Sequence, residues 1–392
     1  MKHRNERKIV ITVMKILLCS YFKFPAGCAG AIRHEKLAQM LTDMGHDVLV
    51  VGLGDFNDFK TESYNNINYI SLRYRSSSVM YKIIMRLRYW HNMKKIMGEY
   101  SPDCIIMDDM RPQVTVKLKR YSQKKGITLV HDSVEWYSPE QFKLGIFSPV
   151  CIKKNIVNRF LIDKSCRVIA ISQYLTDYYR SKHIPCVNIP IVAAESDLVR
   201  EKKLKETVNF VYAGQAGKKD YINVILSAMA LLSEEERRKF QFHILGCTEE
   251  QIIQNGVPVS TVNKVRSSLV IYGRVPRSKV LDVLKESDFT ILMRSGEQRY
   301  AKAGFPTKLV ESLSHSTAMI ANLTSDMDRY LVDGYNSFIV PECTDEALAE
   351  ILRKAIDLSL EKRLQMCVNA CKTVEDQLCY RYFMSELKTI IH

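Results

Sequence analysis

Residues 294–323 read RSGEQRYAKAGFPTKLVESLSHSTAMIANL. An apolar strand ends at Arg294, a polar loop follows, and a helix is expected to begin near Pro306. Proline suits the first helical turn, because the amide it lacks would have had no partner there. Gly304, Phe305, Thr307 and Lys308 then surround a helix N-terminus, where free amides and the helix dipole favour an anion such as a diphosphate. Glu311 stands about one turn further on, where a carboxylate can accept two hydroxyl hydrogen bonds, as from a ribose. Glu297 lies in the preceding loop.

Outward from this stretch, short apolar runs alternate with helical patterns along most of the chain, the grammar of parallel sheets. A first unit spans 14–190. It opens with MKILLCSYF, a glycine loop holding Gly27 and Gly30, an amphipathic helix and the strand GHDVLVV. The segment 191–207, which includes the charged EKKLKE and shows no strand pattern, is expected to be a linker. A second unit spans 208–373, and the helical pattern of 374–392 is expected to cross back to the first. The fold class is therefore α/β, with two Rossmann-like domains facing one another across a cleft. In such sheets ligands bind beyond the carboxyl ends of the strands.

Length and composition fit this picture. The 392 residues are 46% hydrophobic and 26% charged, enough for two domains with their own cores and unlike a disordered or fibrous chain. Lysine and arginine (57) exceed aspartate and glutamate (43), so the partner is expected to be anionic. Eleven cysteines without a C-x-x-C pair point to free thiols in a reducing cytosol rather than to disulfides or zinc. Residues 1–13 read as a basic extension. A secretory signal is rejected, because Lys15 interrupts the apolar run and Lys23 closes it.

Other stretches carry chemistry. VYAGQAGKKD leads a strand into a turn with Gly214, Gln215, Lys218 and Lys219, and two cations at a helix entrance call for an anion to offset them. ITLVHDSVEWYS puts His131 and Asp132 at a strand end, with Glu135 just beyond. Gly27 and Gly30 make too incomplete a fingerprint, with no acid closing the second strand, for a nicotinamide cofactor. Residues 72–100 form a basic amphipathic helix that either lies on an anionic membrane surface or packs on its own sheet. No nucleic-acid module is visible. Asp326 and Asp328 form a D-x-D, but it follows a late strand, and no metal is expected.

With these motifs in order, the chain resembles the retaining glycosyltransferases of family 4, which have the GT-B fold. The resemblance is carried by MKILLCSYF with Gly27 and Gly30, GHDVLVV, VIAISQYLTDYY, FVYAGQAGKKD, IYGRVPRSKVLDVLKESDFTIL and above all GFPTKLVESLS. It implies a metal-independent enzyme that moves a sugar from a nucleoside-diphosphate sugar to a sugar acceptor, lipid-linked, in surface-polysaccharide assembly on the inner face of the plasma membrane. Gly30 would face the donor, Lys219 would neutralise the diphosphate, and Glu311 would hold the ribose. The amides of Phe305, Thr307 and Lys308 would cap the phosphates. His131 would lie beside the reacting sugar, with Asp132 and Glu135 orienting it or the acceptor. Two departures stand out. Ala303 replaces the earlier of the family's paired glutamates, leaving Glu297 as a substitute. Gln215 replaces an arginine, leaving Arg274 or Arg294 to supply the charge. A relative without turnover, acting as a binding or scaffold subunit, is the alternative these departures suggest.

Overall fold

The computed structural model describes residues 12–25, 28–54, 59–73, 79–108, 110–215, 217 and 219–392, and side chains within 73–87 fall outside that description. Gly27 and Lys218 likewise lie outside the described residues.

The first sheet is built from β1 (Lys15–Lys23), β2 (Asp47–Gly54), β3 (Glu62–Tyr64), β4 (Ile67–Arg73), β5 (Cys104–Asp108), β6 (Thr128–Ser133), β7 (Arg167–Ala170) and β8 (Cys186–Asn188). Their order is β3-β4-β2-β1-β5-β6-β7-β8, and only the β3/β4 pair is antiparallel. β5 and the Ile16–Ser20 stretch of β1 are wholly buried, which is why they read as largely apolar runs rather than alternating ones. The second sheet holds β9 (Val208–Ala213), β10 (Phe240–Leu245), β11 (Leu269–Gly273), β12 (Phe289–Leu292), β13 (Ala318–Ala321) and β14 (Ser337–Ile339), all parallel in the order β11-β10-β9-β12-β13-β14. Each sheet reverses its strand order once, between β1 and β5 and between β9 and β12, and there a crevice opens for ligands.

The halves are joined by more than a tether. Phe305, Leu309 and Leu313 from the second half share one buried apolar cluster with Leu129 and Val168 from the first. The chain crosses between halves twice, side by side. Ala193 donates its amide to the Leu378 carbonyl at 3.0 Å, and its own carbonyl accepts from the Tyr380 amide at 2.9 Å. The expected linker therefore begins as core, with Ile191, Val192, Ala193 and Ala194 all buried, because the returning strand covers them. The C-terminal helical pattern is also interrupted. A π-helical turn Val374–Leu378 ends in extended Cys379, and a separate helix Met384–Ile391 seats Leu387, Ile390 and Ile391 against Ile16, Leu18 and Ile169.

In the basic helix, now seen as Val79–Tyr100, Tyr89, Met93, Ile96 and Met97 are buried against the first sheet, while Arg88, Lys94 and Lys95 face solvent. Its described portion thus packs as an ordinary surface helix. Among the described residues no helix is long and apolar enough to cross a membrane.

Candidate active site

The helix Thr307–Ser314 starts one residue later than expected, with Pro306 as its extended N-cap. No side chain caps it, and the amides of Phe305, Thr307 and Lys308 donate to no other described residue. Lys308 folds back from this end toward β9. Its ammonium pairs with Asp220 and lies over the Tyr212 ring, 5.1 Å from the centroid. Arg294, at the end of β12, donates to the other Asp220 oxygen at 2.7 Å. Tyr212 adds a hydroxyl contact to Asp220 at 3.2 Å. Burial alone would raise the Asp220 carboxyl, yet Lys308 and Arg294 hold it well below the usual carboxylate range.

Two glycines shape this cluster. A Cβ on Gly214 would come within 2.7 Å of the Lys308 ammonium. Gly246, at the end of β10, has φ +98, and its Cβ would lie 2.7 Å from the Gly214 carbonyl. Gln215 is exposed, and only its carbonyl is engaged, by the Tyr212 hydroxyl at 3.0 Å. Of the two arginines that could supply the missing charge, Arg294 joins the cluster and Arg274 faces solvent beyond β11.

Beside the cluster, Glu311 and Thr307 line a cavity of about 260 Å³ between the halves. The far wall comes from Ile32 and Lys36 of the first helix, Ala29–Asp43. Arg277 pairs with Glu311 at 3.0 Å and holds its carboxylate at the rim. Glu297 is exposed on its loop, and Gly304 sits with Phe305 where the halves meet. Ala303 is fully buried at this junction, its carbonyl accepting from Ser172 of the first half at 2.8 Å.

The first half contributes through the loop after β6. Glu135 reaches across the cleft to Lys219 at 2.5 Å, and Lys219 lies 5.5 Å from the Tyr137 ring centroid. Burial opposes ionisation of Glu135, but Lys219 holds its carboxyl below the usual range. Tyr300 ties the same regions together, its amide bonded to Ser138 and its hydroxyl to the Lys219 carbonyl.

Two first-half expectations are corrected. His131 does not face an open cleft: it is 1% exposed, and its approaches to Asn158 and the Met107 backbone fall short of hydrogen-bond geometry. Burial, helped by Lys154, drives its pKa down to about 3, so it is neutral at pH 7. Asp132 does not orient it, because successive side chains of β6 point to opposite faces. Asp132 instead takes a two-pronged contact from buried Arg33, which also donates to the Pro190 carbonyl at 2.8 Å. Arg33 thereby pins the first helix to β6. Gly30, in that helix's first turn, lets it pass the Phe22 ring, which a Cβ would approach to 2.8 Å.

His34, Asp108 and Asp132 could converge on a cation, but the Arg33 guanidinium already neutralises Asp132 there. Asp326, from the D-x-D, accepts the Gln173 amide at 2.7 Å. Cys367 and Cys371 are buried packed thiols. Arg33, Asp220 and Arg277 were missed from sequence; an acid directly following two lysines was the one visible hint, at Asp220.

Comparison with known proteins gives a match on each side of the cleft. The model of glycosyl transferases group 1 matches residues 195–373, and that of glycosyltransferase family 4 matches 34–192. The chain belongs to glycosyltransferase family 4. An uncharacterized glycosyltransferase of Methanocaldococcus jannaschii is 22% identical over 285 residues, 69% of each chain. Sucrose-phosphate synthase from Thermosynechococcus elongatus superposes with a TM-score of 0.74 at 14% identity, over 96% of this chain and 98% of its own. WaaG, a glycosyltransferase involved in lipopolysaccharide biosynthesis, gives 0.66 at 15%, over 96% and 99%. These structural likenesses establish the GT-B fold, and this family member is a glycosyltransferase.

Proposed function

We propose that this glycosyltransferase moves a sugar from a nucleoside-diphosphate sugar to a lipid-linked sugar acceptor, with retention and without a metal, in surface-polysaccharide assembly. One observation supports the donor side: Lys308 and Arg294 converge on Asp220 near the uncapped start of the Thr307–Ser314 helix, and Thr307 and Glu311 of that helix line the cavity between the halves. When the anomeric bond breaks, negative charge grows on the β-phosphate. Fixed cations and amides stabilise that charge without reorganising, which is the role a metal would otherwise fill.

Glu311 accepts the ribose hydroxyls, and Gly214 leaves room for the diphosphate beneath Lys308. Lys219 exchanges Glu135 for the donor's phosphates, and Gly30 opens the facing loop to the sugar. His131, buried and neutral, acts as a positioning residue under the 134–138 loop. The pathway accords with that of WaaG, a glycosyltransferase involved in lipopolysaccharide biosynthesis.

The test is calorimetric titration with UDP, GDP, ADP and CMP, with and without EDTA. Saturable binding of one nucleoside diphosphate that EDTA leaves unchanged supports the reading; no binding by any of them overturns it. A second reading, a binding subunit without turnover, is favoured by Ala303, whose buried junction leaves no carboxylate for the donor sugar. Donor hydrolysis in the absence of acceptor separates the two.

A further inference from the structure

Between Glu140 and Asp163 the chain has no acidic residue and four cations, Lys143, Lys153, Lys154 and Arg159. The same stretch gathers large apolar side chains that the fold leaves in solvent. Phe147 is 74% exposed, Phe160 73%, Leu144 64% and Ile146 61%, with Val150 and Ile152 also exposed. They come from consecutive elements in contact: the turn Gly145–Phe147 packs on the helix Pro149–Ile156, which runs directly into the π-helical Val157–Leu161. An apolar patch of this kind normally marks an interaction site, since water disfavours it and nothing in the core gains by it.

The cations decide what covers it. Lys143, Lys153 and Arg159 are exposed beside the apolar tips. Apolar tips ringed by positive charge match a membrane interface, where tips enter the acyl boundary and cations meet anionic headgroups. A cavity of about 200 Å³ adjoins the patch, lined by Val150 and Lys153 together with Arg111 and Tyr137, and the Tyr137 ring lies under Lys219 of the opposite half.

We propose that residues 143–160 form a membrane-docking face that seats the enzyme on an anionic leaflet, with the cavity lying between the bilayer and the cleft. The choice of a lipid partner rests on the lipid-linked acceptor in the reading above. The face replaces the Val79–Tyr100 helix as the docking element, since the described apolar side of that helix is occupied by the first sheet.

Flotation of the full chain with phosphatidylcholine vesicles, with and without phosphatidylglycerol, tests this. Wild type is expected to float with the anionic vesicles. Combined Ile146→Ser, Phe147→Ser and Phe160→Ser should cut that partitioning at least about tenfold without lowering the unfolding midpoint, because these side chains pack against little. Lys143→Glu with Lys153→Glu should abolish the preference for phosphatidylglycerol. Arg88→Glu with Lys94→Glu, on the other helix, should change nothing. The proposal is overturned if wild type binds neither vesicle, or if the loss follows Arg88 and Lys94. It is also overturned if the serine substitutions split a dimer while vesicle binding persists. Nucleotide titration without vesicles reads the donor pocket separately, so either idea can fail alone.

Discussion

In the C-terminal half the buried charges meet one another across elements, with Asp220 held by Arg294 and Lys308 at the mouth of the cleft. In the N-terminal half His34 and His131 are buried without a hydrogen-bond partner among the described residues, beside an Asp132 already engaged by Arg33. The strand order through each crevice is the same, so the contrast lies in side chains. One half gathers two cations on a single carboxylate at the cleft; the other uses its buried Arg33 to tie the first helix to β6 and meets the cleft with that helix and the loop after β6.

The largest effect should come from acid acting on buried histidines. Burial lowers the pKa of His34 to about 4 and of His131 to about 3, from 6.5. The unfolded chain therefore takes up these two protons near pH 6.5, while the folded chain refuses them until far lower. Stability is full above pH 6.5 and falls as the pH drops toward 4, by about 1.4 kcal/mol per pH unit for each histidine. Thermal unfolding across this window should show a falling midpoint, and His131→Gln should flatten it; an unchanged slope in that variant would remove His131 from the explanation.

Next in size is Lys308→Ala. Taking one fixed cation from a developing phosphate charge costs about a hundredfold in transfer rate. Calorimetry should show diphosphate affinity falling far more than nucleoside affinity. The comparison breaks if His131→Gln weakens nucleotide binding as much, for then the halves do not divide the work as their charges suggest. Glu311→Ala should follow with a loss of about tenfold in ribonucleotide affinity. A 2′,3′-dideoxynucleotide should lose the same factor on the wild type and no more on the variant. Additive losses would mean Glu311 serves Arg277 rather than the ribose.

What the sequence made legible was what neighbours in sequence decide. GFPTKLVE shows a glycine, a proline and a helix start within a few residues, and the structure places Phe305 to Glu311 accordingly, with a shift of one residue at Pro306. The buried strands were legible because parallel sheets covered on both faces need continuous apolar runs. The pairings Arg33–Asp132, Asp220–Lys308 and Arg277–Glu311 were not, because they join residues far apart in the chain and only the tertiary fold selects them. The short strands β3, β4, β8 and β14 also passed unread, three of them spanning just three residues. Ile191–Ala194 misled for a related reason: their burial depends on Leu378 and Tyr380 returning beside them.

The smallest effect tests an ion pair that bridges the two kinds of half. Lys219 and Glu135 are both partly exposed, so solvent screens their attraction and the pair itself adds little to stability. Its consequence lies in competition, since a lysine bound to Glu135 is not free for phosphate. Glu135→Gln should therefore strengthen nucleoside-diphosphate binding by about threefold, a gain that fades as salt screens the original pair. Lys219→Ala should weaken diphosphate binding more than nucleoside binding. Should both substitutions weaken binding equally, the pair is a strut that holds the cleft in shape, and the N-terminal half then contributes geometry to the donor site rather than charge.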